Sequence, residues 1–187
     1  MHNITLDQKD FNDLIKRAKK LQHKVMVRIL FVTGMRTGEL CTLRVENINL
    51  VNNIIKILDS KKKIYFDLFI DQETSNLLRV YIEQLERKNG WLFTDEIGNH
   101  AKTKTIQRMI KRWARELGLN KNWCPRFFRY RFARNWIINK GSITDLQTIL
   151  RHTQLNTTVG YISKIRFTSE IENLKREYDR IISSDKI

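Results

Sequence analysis

Apolar residues recur every third or fourth position over most of this chain, and in one stretch they crowd together with β-branched and aromatic neighbours instead. That contrast predicts a mostly helical protein with one small sheet. Phe11, Leu14, Ile15, Ala18 and Leu21, with lysines between them, describe an amphipathic first helix, and Thr5 with Gln8 forms a capping-box pattern ahead of it. Residues 25–32, VMVRILFV, are apolar nearly all round and predict a helix buried on most faces. It ends at Thr33-Gly34 and the next helix opens near Thr37, which leaves Arg36 in the turn between two elements.

Residues 45–70 predict two or three short antiparallel strands, with Ser60, Lys61, Lys62 and Lys63 at or near a hairpin tip. Asp71 caps a helix carrying Leu77, Leu78, Tyr81, Ile82 and Leu85, which runs towards Gly90. Trp91-Leu92-Phe93 reads as a short buried extended segment. Thr103 caps a further helix with Ile106, Ile110, Trp113 and Leu117 on one side, stopped by Gly118. Its other side presents Lys104, Arg108, Lys111, Arg112 and Arg115, either a solvated face or a surface that tracks phosphates. Pro125, the only proline, suits a helix start because its missing N–H has no partner there. That helix extends to about Asn139, with Gly141 beyond it; Ser142 and Asp145 frame the next N-terminus, and Asn156 caps a short helix that reaches Tyr161. Ile171, Leu174, Tyr178 and Ile181 give an amphipathic C-terminal helix at about 169–183. No repeat, low-complexity tract or Gly/Ser linker interrupts the pattern, so 1–187 reads as a single domain.

Composition then narrows the partner. Hydrophobic residues make up 41% of the 187, enough for one sizeable core. The 35 lysines and arginines exceed the acids by 15 and are spread along the chain, a balance that favours a polyanion such as nucleic acid over an acidic or neutral partner. Cys41 and Cys124 stand far apart, and no His/Cys spacing fits a metal site. The N-terminus lacks an apolar signal core and no uncharged apolar run is long enough to span a bilayer. A cytoplasmic, DNA-associated protein with no metal, cofactor or membrane partner is expected.

The chemistry-bearing residues gather between 125 and 161: Arg126 and Arg129 one helical turn apart, then His152, then Tyr161 nine residues later. Taken singly, each has an ordinary structural reading as a surface cation, a core histidine or a packing tyrosine. In order, they resemble the catalytic domain of the tyrosine recombinase (phage integrase) family. TGMRTGELCTLRVENI (33–48) is similar to that family's first box, TGxRxxELxxLxxxDI, and matches its first arginine to Arg36. PRFFRYRFA (125–133) is similar to PHxLRHxFA and matches the second arginine to Arg129. LRHTQLNTTVGY (150–161) is similar to LGHxxxxTTxxY, with His152 and the nucleophile Tyr161.

The resemblance implies an α+β, mostly helical catalytic domain with a small antiparallel three-stranded sheet. It implies cleavage and rejoining of duplex DNA through a 3′-phosphotyrosyl link, with Arg36 and Arg129 clamping the phosphate, His152 donating to it, and a hairpin-tip lysine protonating the leaving 5′ oxygen. Lys61 is the first choice for that acid and Lys63 the second; Lys62, Lys63, Lys104, Arg108, Lys111 and Arg112 are expected on DNA. Integration, excision or resolution of mobile DNA is the implied setting, with self-association on double-stranded DNA as a dimer or tetramer. The C-terminal helix then either exchanges between protomers or packs in cis. The N-terminal core-binding region of most relatives is not in this chain, which reads either as a natural minimal form, with a separate N-terminal DNA-binding region as a candidate partner, or as an expressed fragment.

Two departures stand out. Arg126 occupies the place of the family's histidine and cannot accept a proton as imidazole does, a feature shared with some archaeal viral integrases of the fusellovirus type. Arg151 stands where the family has glycine, and is expected to add charge that reaches the DNA backbone. Two rivals share the fold or the site: a non-catalytic DNA-binding module, and a nicking-closing enzyme of the type IB topoisomerase kind.

Overall fold

A computed structural model describes residues 8–59, 63–119 and 123–163. The element order is α1 (Gln8–Arg17), α2 (Leu21–Thr33), α3 (Thr37–Cys41), β1 (Ile48–Asn49), β2 (Ile54–Asp59), β3 (Ile64–Phe69), α4 (Gln72–Gln84), α5 (Thr103–Glu116), α6 (Arg126–Ile138), α7 (Ile143–Leu150) and α8 (Leu155–Ile162). This is the mostly helical α+β arrangement that the sequence pattern predicts.

The apolar stretch becomes α2, whose Val25, Met26, Val27, Ile29, Leu30 and Phe31 are all buried. A helix covered on so many sides belongs at the centre, and α1, α3, α4 and α6 pack around it. Phe11 of α1 stacks on Phe31, while Phe128, Ala133 and Ile137 bring α6 into the same core. Gly34 closes α2 in the left-handed conformation at φ 59° and its N–H bonds to the Leu30 carbonyl. A Cβ there would lie 2.7 Å from Phe132, so glycine is required by both backbone and space.

The sheet is antiparallel in the order β1-β2-β3. β2 and β3 pair from Ile54↔Phe69 to Asp59↔Ile64, and the alternation places Ile55, Ile57 and Leu68 inward. β2 ends at Asp59 and β3 opens at Ile64, with the Lys63 N–H bonded to the Asp59 carbonyl at 2.7 Å; Lys63 is exposed with φ 54°, and the rest of the expected tip, Ser60, Lys61 and Lys62, lies outside the described residues.

Local boundaries differ from the sequence pattern where backbone geometry overrides it. α1 stops at Arg17, so Leu21 opens α2 instead of ending the first helix. α4 ends at Gln84, well before Gly90. Lys102 is the cap of α5 and Thr103 its first residue, with the Thr103 hydroxyl turned to the Cys41 sulfur at 3.6 Å. Gln154 caps α8, and Asn156 lies within it. Asp71 and Ser142 do cap α4 and α7, accepting from the backbone N–H groups of Thr74 and Asp145. Thr5 and the C-terminal stretch at about 169–183 lie outside the described residues. Among those described, no helix is long and apolar enough to cross a membrane.

Candidate active site

α6 aims a cation at a cleft because its faces are divided. Phe128 and Ala133 fill the core, and Arg129, between them in sequence, is only 4% exposed and points along the inner wall. A buried guanidinium needs acceptors. Arg129 donates to the Gly34 carbonyl at 2.9 Å and to the Leu150 carbonyl, so the ends of α2 and α7 both rest on it. These partners are neutral. Burial first, then repulsion from Arg36, draws its ionisation down to about 10, and it stays charged at neutral pH.

Arg36 is the cap residue of α3 and remains about half exposed. Its side chain donates to the Glu39 carboxylate at 2.9 Å and to the Arg151 carbonyl at 3.0 Å, while its backbone N–H donates to Glu39 at 2.6 Å. Glu39 is in turn gripped by Arg151 through two bonds of 2.9 and 2.6 Å. Burial opposes ionisation of Glu39, but its bonds to Arg151 and the charges of Arg151 and Arg36 prevail and hold the carboxyl below its ordinary range.

His152 lies 3.2 Å from an Arg129 nitrogen through Nε2 and 2.9 Å from the Thr158 hydroxyl through Nδ1. A guanidinium only donates, so Nε2 accepts and the imidazole is neutral with its hydrogen on Nδ1. Burial and the surrounding arginines Arg129, Arg36 and Arg151 lower its ionisation to about 4, in agreement with that geometry. The expected bond from His152 to a phosphate therefore needs a proton on Nε2 that this arrangement does not carry. Tyr161 sits half-buried on α8, its ring 5.2 Å from His152, 4.5 Å from Tyr130 and 5.9 Å from the Arg129 guanidinium. Burial pushes its phenol above the ordinary value, and the charges of Arg129 and Arg126 offset this only in part. Arg126 is exposed and held more firmly protonated, chiefly by the Tyr130 hydroxyl and then by Tyr161.

Arg36, Arg126, Arg129, His152 and Tyr161 all line one cleft of about 770 Å³, together with Gln107, Cys124 and Thr157. Five residues from three distant segments thus converge, as the boxes suggested. Residues 5–166 match the model of the "Phage integrase family". The chain belongs to the phage integrase family. It is 28% identical over 179 residues to the tyrosine recombinase XerA of Saccharolobus solfataricus, covering 96% of this chain and 57% of that protein. It is also 28% identical over 163 residues to XerD of Staphylococcus saprophyticus, covering 83% and 54%. A crystal structure of XerA recombinase superposes with a TM-score of 0.78 at 27% identity, over 96% of this chain and 66% of that one. The XerH site-specific recombinase bound to its difH substrate shares the fold, with a TM-score of 0.75 at 20% identity over 94% and 53%. The chain spans little more than half the length of these curated relatives.

Set against the family boxes, the other expected residues divide. Gln107 reaches the cleft from α5; Lys104 and Lys111, three and four positions away, are exposed on its side of the helix, and Arg108 is exposed on the neighbouring face. Arg112 is exposed on the adjoining face, 3.9 Å from Glu116. Arg151 is a correction: its side chain is only 2% exposed and its fork is occupied by Glu39, so it is a strut inside the protein and not a contact for the DNA backbone. Glu39, Thr158 and Tyr130 were missed. Glu39 had a signal in its place one turn after Arg36, and Tyr130 in its place one turn after Arg126; Thr158 had none beyond lying in the last box. No group of three or more potential metal ligands occurs among the described residues.

Proposed function

We propose that this chain cuts and rejoins duplex DNA at specific sites, with Tyr161 as nucleophile, in integration, excision or resolution of mobile DNA. The observation that carries the reading is the sharing of one open cleft by the Tyr161 ring and the guanidinium groups of Arg36, Arg126 and Arg129.

An anionic diester repels an approaching phenolate, so the reaction needs fixed positive charge at the non-bridging oxygens. Arg36 and Arg129 supply it with forked donors that stay charged. The Tyr161 oxygen attacks phosphorus, the bond to the 5′ oxygen breaks, and the displaced oxygen takes a proton from a lysine of the hairpin tip, for which Lys61 is the first candidate and Lys63 the second. Arg126, being held protonated, stabilises the phenolate and is no base; the phenol proton leaves to water in the open cleft. The arrival of a phosphate between Arg129 and His152 draws a proton from water onto Nε2, which lets His152 donate. The covalent diester keeps the energy of the broken bond, so rejoining needs no nucleotide. The exposed α5 stripe carries the phosphates flanking the cut. Double-stranded DNA is the partner, and assembly of two or four copies on it supplies the pairing of sites that strand exchange requires.

The test is incubation with nicked suicide duplexes drawn from a randomised-site library. A covalent protein–DNA adduct that vanishes in Tyr161→Phe is the expected result. Binding with no adduct at any sequence would sink the reading and leave a DNA-binding module; relaxation of plasmids without exchange between two sites would leave a nicking-closing enzyme.

A further inference from the structure

We infer that Arg151 is a positioning residue for Arg36, holding the first arginine of the site in place through Glu39 and through its own carbonyl; this rests on the reading that Arg36 clamps the phosphate. Arg36 is half exposed on α3, a helix of five residues, and a long side chain in such a place ordinarily samples many rotamers. Here two acceptors restrain it. One is the Glu39 carboxylate, whose two oxygens are both held by the buried Arg151 fork, with the remaining Arg151 nitrogen bonded to the Ile149 carbonyl at 2.6 Å. The other is the Arg151 carbonyl itself.

That carbonyl depends on an unusual backbone. Arg151 adopts φ 53° and ψ 47°, the left-handed conformation that glycine takes without strain and other residues take at some cost. Arg151 supplies at this turn what glycine cannot, a guanidinium that crosses to α3. The bonds join positions 112 and 115 residues apart in sequence, and so tie the turn before His152 to the segment that bears Arg36. Charge points the same way. Arg36 and Glu39 alone would cancel, whereas two guanidinium groups with one carboxylate leave the trio a net positive charge, with Arg36 the member that lines the cleft.

A merely structural Arg151 would stabilise the α7 end and leave Arg36 as it was, so the test observes Arg36 directly. In the full chain, the Nε–H resonance of Arg36 is assigned by its loss in Arg36→Lys, and its heteronuclear NOE and exchange with water are measured in wild type, Arg151→Gly and Arg151→Lys. Arg151→Gly suits the left-handed backbone and is expected to fold, with the Arg129 Nε–H signal as the internal check. Its Arg36 signal should lose NOE and exchange faster, and Arg151→Lys, which keeps charge and carbonyl but not the fork, should fall between. Should Arg151→Gly lose the Arg129 signal, Arg151→Lys decides by the same readout. An Arg36 signal unchanged in the folded variant overturns the proposal. On nicked duplexes, Arg151→Gly should slow adduct formation about ten- to a hundredfold at saturating DNA, with little change in apparent affinity. If wild type forms no adduct, the recombinase reading fails while the Arg36 measurement still decides this one.

Discussion

Arg129 and Arg36 face one cleft from opposite environments. Arg129 is enclosed and held by backbone carbonyls of Gly34 and Leu150, so the fold itself rests on its side chain. Arg36 is half exposed and held by a carboxylate that another arginine has already engaged. The first cation is fixed by packing, and its removal leaves orphaned buried acceptors. The second is fixed by a network that can be adjusted with little harm to the core. Two groups with the same proposed task thus differ in how far catalysis and stability can be separated.

The sharpest way to break the comparison is Arg129→Met. Adduct formation should fall at least about a hundredfold, and the unfolding free energy should drop by about 1–3 kcal/mol for each carbonyl left unpaired, read by single-turnover kinetics and urea melts. Arg36→Ala should lower the adduct rate by a similar factor while stability changes by less than about 1 kcal/mol. Equal destabilisation in the two variants would erase the distinction. Gly34→Ala comes next: it strains a left-handed residue and drives a methyl group into Phe132, so a loss of about 1–3 kcal/mol is expected, with a slower adduct rate as the carbonyl under Arg129 shifts.

Acid should separate the two halves of the network. His152 is lowered from 6.5 to about 4 in the folded protein, so across that window the unfolded chain binds a proton the folded chain does not, and stability falls as pH drops. Glu39 is held below its ordinary value, so its contribution is present above the usual carboxylate range and is lost only as pH falls through the lowered value. His152→Asn should flatten the upper limb of a stability–pH curve and Glu39→Gln the lower one. The smallest effect is at the rim: Lys104→Gln and Lys111→Gln should each reduce the salt slope of duplex binding by about 1 and leave the cleavage rate at saturation unchanged.

The elements were readable because each rests on a local rule, and the convergence because the three boxes resemble those of one family. The buried α2, the short antiparallel strands and the caps Asp71 and Ser142 follow from periodicity and side-chain chemistry within a few residues. The boxes placed Arg36, Arg126, Arg129, His152 and Tyr161, and the fold gathers them in one cleft. What escaped was pairing across long separations. Arg151 looked like added surface charge because nothing near it in sequence shows the carboxylate 112 residues away that takes it inside. The direction of the His152 hydrogen bonds was equally hidden, since it is set by Arg129 on one side and Thr158 on the other. Cap positions slipped at Thr103 and Asn156 because a polar residue one or two places inside a helix looks the same on paper as the cap.

The enclosure of Arg129 also bears on how copies of such a gene would decay. If the proposed strand cleavage were no longer under selection, a copy could drift at the half-exposed Arg36 at little cost to folding, whereas a change at Arg129 would lower the protein's abundance along with its activity. Inactive descendants that persist as folded proteins should therefore keep this arginine more often than Arg36, which makes the exposed arginine the position to inspect when sorting working copies from relics.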